Sequence, residues 1–197
     1  DEGINTNNTG DGNTFLHLAM RHEVPEAVSL AVLAAWPAAA KKKNDDGDVP
    51  LHLALMDGAP HAVVLSVLAL LATWPDAAKV QSNEGNLPLH YALAKKVPEA
   101  VTLAVLAEWP DAAKEKSNDG NLPLYLSLEK KKSAAVTLAV LAAWPDAVAA
   151  STANTAGSTL LYFALEKKVP VAVTLAILAA WPEAAQEKND GGHTSLS

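Results

Sequence analysis

Gly85-Asn86-Leu87-Pro88-Leu89-His90, with the helical run behind it that ends at Trp109-Pro110-Asp111-Ala112-Ala113, decides the fold. Variants of this block occur five times, and a sixth starts at Gly191-Gly192-His193-Thr194 and stops. Trp36, Trp74, Trp109, Trp144 and Trp181 follow one another at intervals of 38, 35, 35 and 37 residues. The glycines that open the blocks, Gly12, Gly47, Gly85, Gly120 and Gly157, run at 35, 38, 35 and 37. A period in the mid-thirties means a stacked array in which each unit buries its apolar face against its neighbours. The markers predict a polar lead-in at 1–11 and then a single body of five repeats, 12–46, 47–84, 85–119, 120–156 and 157–190, with a truncated sixth turn at 191–197. Together they also locate two insertions. Pro60 to Trp74 is 14 residues where Pro98 to Trp109 is 11, so the second repeat is expected to have a longer second helix. Trp144 to Gly157 is 13 residues where Trp109 to Gly120 is 11, so the fourth is expected to have a longer connection.

Each unit opens on small polar residues, as in Asn44-Asp45-Asp46-Gly47, Ser82-Asn83-Glu84-Gly85, Ser117-Asn118-Asp119-Gly120 and Asn189-Asp190-Gly191. Asn, Asp and Gly tolerate left-handed backbone angles, so these read as hairpin tips. A short helix follows, with Pro50, Pro88 or Pro123 in its first turn, where the missing amide costs nothing. Lysines close it at 95–96, 130–132 and 167–168, where cations suit the negative end of a helix. A second proline, Pro25, Pro60, Pro98 or Pro170, starts a longer helix that Trp-Pro ends. Val101, Leu103, Val105, Leu106 and their counterparts are its apolar positions.

Gly-Asn-Leu-Pro-Leu-His followed by two antiparallel helices resembles the ankyrin repeat, whose signature is Gly-x-Thr-Pro-Leu-His-x-Ala. The likeness runs from residue 12 to residue 196 and is most specific in the second and third repeats. Phe15 stands at the proline position in the first, Tyr125 and Tyr162 stand at the histidine position in the fourth and fifth, and Trp-Pro-Asp-Ala-Ala replaces the family's Gly-Ala-Asp-Val. The resemblance implies an all-α helix-turn-helix solenoid with short β-hairpin or turn connections, of a kind that usually binds proteins.

Composition narrows the function classes. With 22 acidic against 15 basic residues the net charge is −7, which argues against nucleic acid as the main partner. The absence of cysteine removes disulfides, thiol catalysis and cysteine-ligated zinc. Apolar runs such as 62–74 and 171–181 are too short to span a bilayer. A chain beginning at Asp1 with the sequon Asn7-Asn8-Thr9 is compatible with a processed extracellular protein carrying a glycan on Asn7, and equally with a cytoplasmic piece of something longer.

Three sets of side chains could carry chemistry. His17, His52 and His90 recur once per repeat, roughly 10 Å apart by the spacing of packed helices. That is too far to share a metal whose ligands sit at about 2 Å, so the imidazoles are expected to tie each turn to its helix. The five tryptophans read as seam-filling structural residues; a sugar-binding aromatic ladder would instead need Trp109 and Trp144 exposed. The lysines of the inter-helix turns, with Arg21, form a broken positive ridge, read as solvated charge or as a landing place for an acidic partner. No nucleophile, base and acid set and no Gly-rich phosphate loop is present, so neither an enzyme nor a cofactor is expected.

The second helices lack an ordinary polar face. No charge lies between Lys132 and Asp146, or between Lys168 and Glu183, and Thr102, Thr137 and Thr174 with many alanines are expected on the outer surface. A helix without a polar face is normally covered. The terminal repeats are also as apolar as inner ones, with Leu30, Leu33 and Trp36 in the first and Val171, Leu175 and Leu178 in the fifth. Soluble arrays need polar caps. The expected function is therefore a structural protein whose main partner is itself, assembling through uncapped ends and neutral helix faces into a filament or large oligomer. The alternative is an adaptor domain cut from a longer chain, whose flanking repeats supply the caps.

Overall fold

The computed structural model describes residues 10–22, 24–56, 64–150 and 160–185, all of whose regular structure is helical. Five short helices alternate with five longer ones: α1 (Phe15–Arg21), α2 (Glu26–Ala35), α3 (Pro50–Met56), α4 (Val64–Thr73), α5 (Pro88–Ala94), α6 (Glu99–Glu108), α7 (Pro123–Glu129) and α8 (Ala134–Ala143), then, after the one-turn helix α9 (Ala147–Ala150), α10 (Leu160–Glu166) and α11 (Val171–Ala180). Short 3-10 turns at Pro37–Lys41, Pro75–Lys79, Pro110–Lys114 and Pro182–Ala185 follow the second helices. Chain contacts fall into two units, residues 1–109 and 110–197.

Seven-residue helices are too short to persist alone in water, so each is held by packing. Within the first unit α1 packs on α3 and α3 on α5, while α2 packs on α4 and α4 on α6. Within the second, α7 packs on α8, α10 on α11, and α8 on α11. The second residue of every short helix, Leu16, Leu51, Leu89, Leu124 or Leu161, is buried. Truncation of such a leucine removes about 2–5 kcal/mol.

The helix boundaries follow from the prolines and tryptophans. Pro50, Pro88 and Pro123 occupy the first helical position. Pro25, Pro98 and Pro170 stand one residue earlier than expected, as the residues that precede α2, α6 and α11, and Ser133 takes that place before α8, its hydroxyl oxygen accepting from the Val136 amide at 3.2 Å. Each tryptophan is the pivot at the far end. Trp36, Trp74, Trp109, Trp144 and Trp181 all hold φ between −141° and −151°. The Trp74 amide donates back to Leu70 at 2.8 Å, and its carbonyl accepts from Ala77 at 3.0 Å, opening the 3-10 turn.

The expected hairpins are tight turns without strands among the described residues. In the second repeat the Asn44 amide donates to the Asp48 carbonyl at 2.9 Å and the Gly47 amide to Asn44 at 3.0 Å, with Gly47 at φ +73°. Only Asp48 and Val49 separate this turn from Pro50, too few residues for a ladder. The lateral bonds run to the preceding turn instead: Asp45 N–H to Asp11 at 3.2 Å, and Asn83 N–H to Asp46 at 2.8 Å. The extra residues of the second repeat lie within 57–63, outside the described residues, while the described α4 has the ten residues of its counterparts. The longer connection of the fourth repeat contains α9, and its remainder, 151–159, also lies outside. So do the Asn7 sequon and the sixth turn.

Candidate interaction surfaces

The three histidines are fully enclosed joints. His17 Nδ1 accepts from the Thr14 amide at 3.1 Å, His52 Nδ1 from Val49 at 3.0 Å, and His90 Nδ1 from Leu87 at 2.9 Å. With Nδ1 accepting, Nε2 carries the proton, and it donates onward to the Asp48 carbonyl from His17 at 3.0 Å and to the Val80 carbonyl from His52 at 3.1 Å. Burial is the main force lowering the pKa of His17, and it lowers that of His52 to about 4, so both rings are neutral. Among the described residues no three metal-ligating side chains cluster.

Beside His52 lies a buried carboxylate. Asp48 Oδ1 is 3.7 Å from His52 Nδ1 and has no hydrogen-bond partner. Burial, with Asp46 and Glu84 adding to it and Lys43 opposing, raises its pKa to about 6. Asn13, Asn86 and Asn121 occupy the matching place in three other repeats.

Glu26 makes a joint that sequence reading did not find. Its carboxylate accepts from the Leu65 and Ser66 amides at 2.9 and 3.3 Å, so the first residue of α2 caps the start of α4. A carboxylate there also meets the positive end of the helix.

The expected surface residues divide. Thr102 and Thr137 are buried, as is Leu33, so none of the three offers an outer face; they occupy the fourth or eighth position of the second helix. Leu30, Thr174, Leu178 and all five tryptophans are half-buried. The Lys41 ammonium lies 5.9 Å from the Trp74 ring centre. Val171 and Leu175 stand out into solvent, 74% and 59% exposed. The outward positions are the second and ninth, which carry Ala27, Leu65, Ala100, Ala135 and Ala172, and Ala34, Ala72, Ala107, Ala142 and Ala179.

Comparing the same position along the repeats exposes a second pattern. The third and seventh residues of the second helices are buried in α4, α6, α8 and α11 but opened in α2, where they are Val28 and Val32. The fourth and eighth are buried in α2, α4, α6 and α8 but opened in α11, where they are Thr174 and Leu178. The short helices repeat it. Phe15 is 42% exposed where Pro50, Pro88, Pro123 and Leu160 are buried, and Leu165 is 41% exposed where Met20, Leu55, Leu93 and Leu128 are buried. The first repeat thus opens one half of a seam and the fifth opens the other half.

No family model and no curated protein matches this sequence. No helix among the described residues is long and apolar enough to cross a membrane.

Proposed function

We propose that this chain is a non-enzymatic structural repeat protein, an ankyrin-like solenoid that joins copies of itself end to end. The observation that carries the reading is the complementarity of the two opened half-seams. In such a junction Leu165, Thr174 and Leu178 of one copy meet Phe15, Val28 and Val32 of the next, repeating the packing of α8 on α11.

The magnitudes favour a weak, concentration-dependent contact. Six partly exposed side chains contribute about 1 kcal/mol each on completed burial, against an association cost of about 4–15 kcal/mol. The protruding Val171 and Leu175 tip the balance toward association. Because the two surfaces differ, the contact is heterologous, and unless its rotation closes a ring it propagates as a filament. The alanine-rich outward positions of the second helices add a neutral face for lateral packing.

Light scattering coupled to size exclusion over a wide concentration range, followed by negative-stain microscopy, tests the reading. A mass that climbs with concentration and elongated particles support it. A monodisperse monomer at the highest concentration overturns it and returns the half-seams to further repeats of a longer chain.

A further inference from the structure

The turns that join α7 to α8 and α10 to α11 border an open cavity of about 270 Å³, lined among others by Lys131, Lys132, Ser133, Lys167, Lys168 and Val173. We propose that this cavity binds a compact free anion of the phosphate class through its four lysines.

Charge is the first argument. The chain carries a net charge of −7, yet the described lining holds four cations and no carboxylate. The nearby Glu129 is engaged by Lys130 at 3.2 Å, and Glu166 on α10 points to solvent. Lys132 is half-buried, and burial lowers its pKa, so a nearby anion favours its charged form. The Lys167 ammonium lies 5.0 Å from the Phe163 ring centre, and Phe163 is stacked in turn on Tyr125 at 5.0 Å.

Backbone strain is the second argument. Lys131 and Lys168 hold φ of 51° and 54°, and they are the only non-glycine residues with positive φ among those described. Each sits where a helix ends in a left-handed residue. The Lys131 and Lys132 amides donate to Leu128 and Ser127 at 3.1 and 2.9 Å, and the Lys168 and Val169 amides to Leu165 and Ala164 at 3.1 and 3.2 Å. Glycine is the usual occupant of that place, and a side chain there is strained. The corresponding residue after α5, Lys96, does not have a positive φ. Among the described residues, only the two turns that line the cavity place a lysine at a left-handed angle.

Size sets the ligand. The volume falls below the roughly 300–1,000 Å³ that holds a drug-sized molecule, while lysine serves phosphate as a movable point charge. Ser133 Oγ already accepts from Val136, which leaves its proton to donate to an anionic oxygen.

Calorimetric titration of the full chain with inorganic pyrophosphate at low ionic strength tests the site. The expected result is one-to-one binding that weakens with salt, and a Lys131→Gly, Lys168→Gly double variant at least tenfold weaker with Tm unchanged or raised, because glycine relaxes the backbone. Lys96→Ala, outside the cavity, should bind as the wild type does. Should the glycine pair lower Tm, Lys132→Gln with Lys167→Gln decides by the same tenfold criterion. No binding by the wild type, equal affinity in these variants, or binding to phosphoinositide vesicles without binding to free pyrophosphate overturns the proposal.

Discussion

The His52 imidazole joins the amide of Val49 to the carbonyl of Val80, at 3.0 and 3.1 Å, with the ring wholly removed from solvent. One side chain thus ties the start of its own helix to the segment that leads into the next turn. Replacement by alanine leaves a buried donor and a partly buried acceptor unpaired, at about 1–3 kcal/mol for a group fully buried. His52→Ala should therefore lose about 2–4 kcal/mol in urea titration followed by circular dichroism, whereas alanine at the exposed His22 should change little. Equal losses would remove the histidine from its role as a joint.

Asp48 and His52 titrate in opposite senses. His52 has its pKa lowered from 6.5 to about 4, so its contribution is complete above 6.5 and is lost as pH falls toward 4, by up to about 3 kcal/mol. Asp48 has its pKa raised from 3.8 to about 6, so its fold favours the protonated acid and stability is lost as pH rises between those values. Over the shared window the two partly cancel. Asp48→Asn should raise stability at about pH 7.5 by about 1–3 kcal/mol and uncover a fall in Tm on acidification that the wild type masks. An unchanged Tm at neutral pH together with an unchanged acid profile would show that the carboxylate is not strained by its burial.

Gly47 tests the junction between turns. At φ +73°, an added Cβ would meet Asn83 Oδ1 and lie 2.8 Å from the Asn83 amide, the group that bonds to the Asp46 carbonyl. Left-handed alanine costs about 1–2 kcal/mol, and displacement of Asn83 adds to it. Gly47→Ala should thus lower stability by more than about 2 kcal/mol, while Gly10→Ala, with open space around its Cβ, should be nearly neutral in the same thermal melts.

Much of the local fold is written in single residues. Pro88 and Trp109 mark where helices start and stop because one lacks an amide and the other sits where the chain leaves helical angles. His90 follows from the same logic, since an imidazole three residues into a helix can reach back to the turn. The Glu26 cap was hidden because its partner lies 39 residues away in sequence. Thr102 and Thr137 were misplaced because a helix with few charges offers no contrast between its inner and outer faces, so β-branched hydroxyls looked like surface. The exposure of the first repeat was hidden for a different reason. Val28 and Val101 are the same residue at the same helical position, and only the presence or absence of a neighbour makes one exposed and the other buried.

That difference can be turned into a pairing experiment on Val32 and Leu178, which open the two halves of the seam. If the proposed end-to-end junction forms, a charge at either position should block it while leaving the fold within about 1 kcal/mol of wild type, because both sites are already half exposed. Val32→Lys spoils one end and Leu178→Glu the other, so each variant alone should stay monomeric in light scattering at concentrations where the wild type grows. Mixed in equal amounts, the two should assemble again in alternation, since every junction between unlike variants is either an unaltered pair or a lysine facing a glutamate. Recovery should fade with added salt at the charged junctions. Growth by either variant alone would place the contact elsewhere, as would a mixture that stays monomeric at low salt.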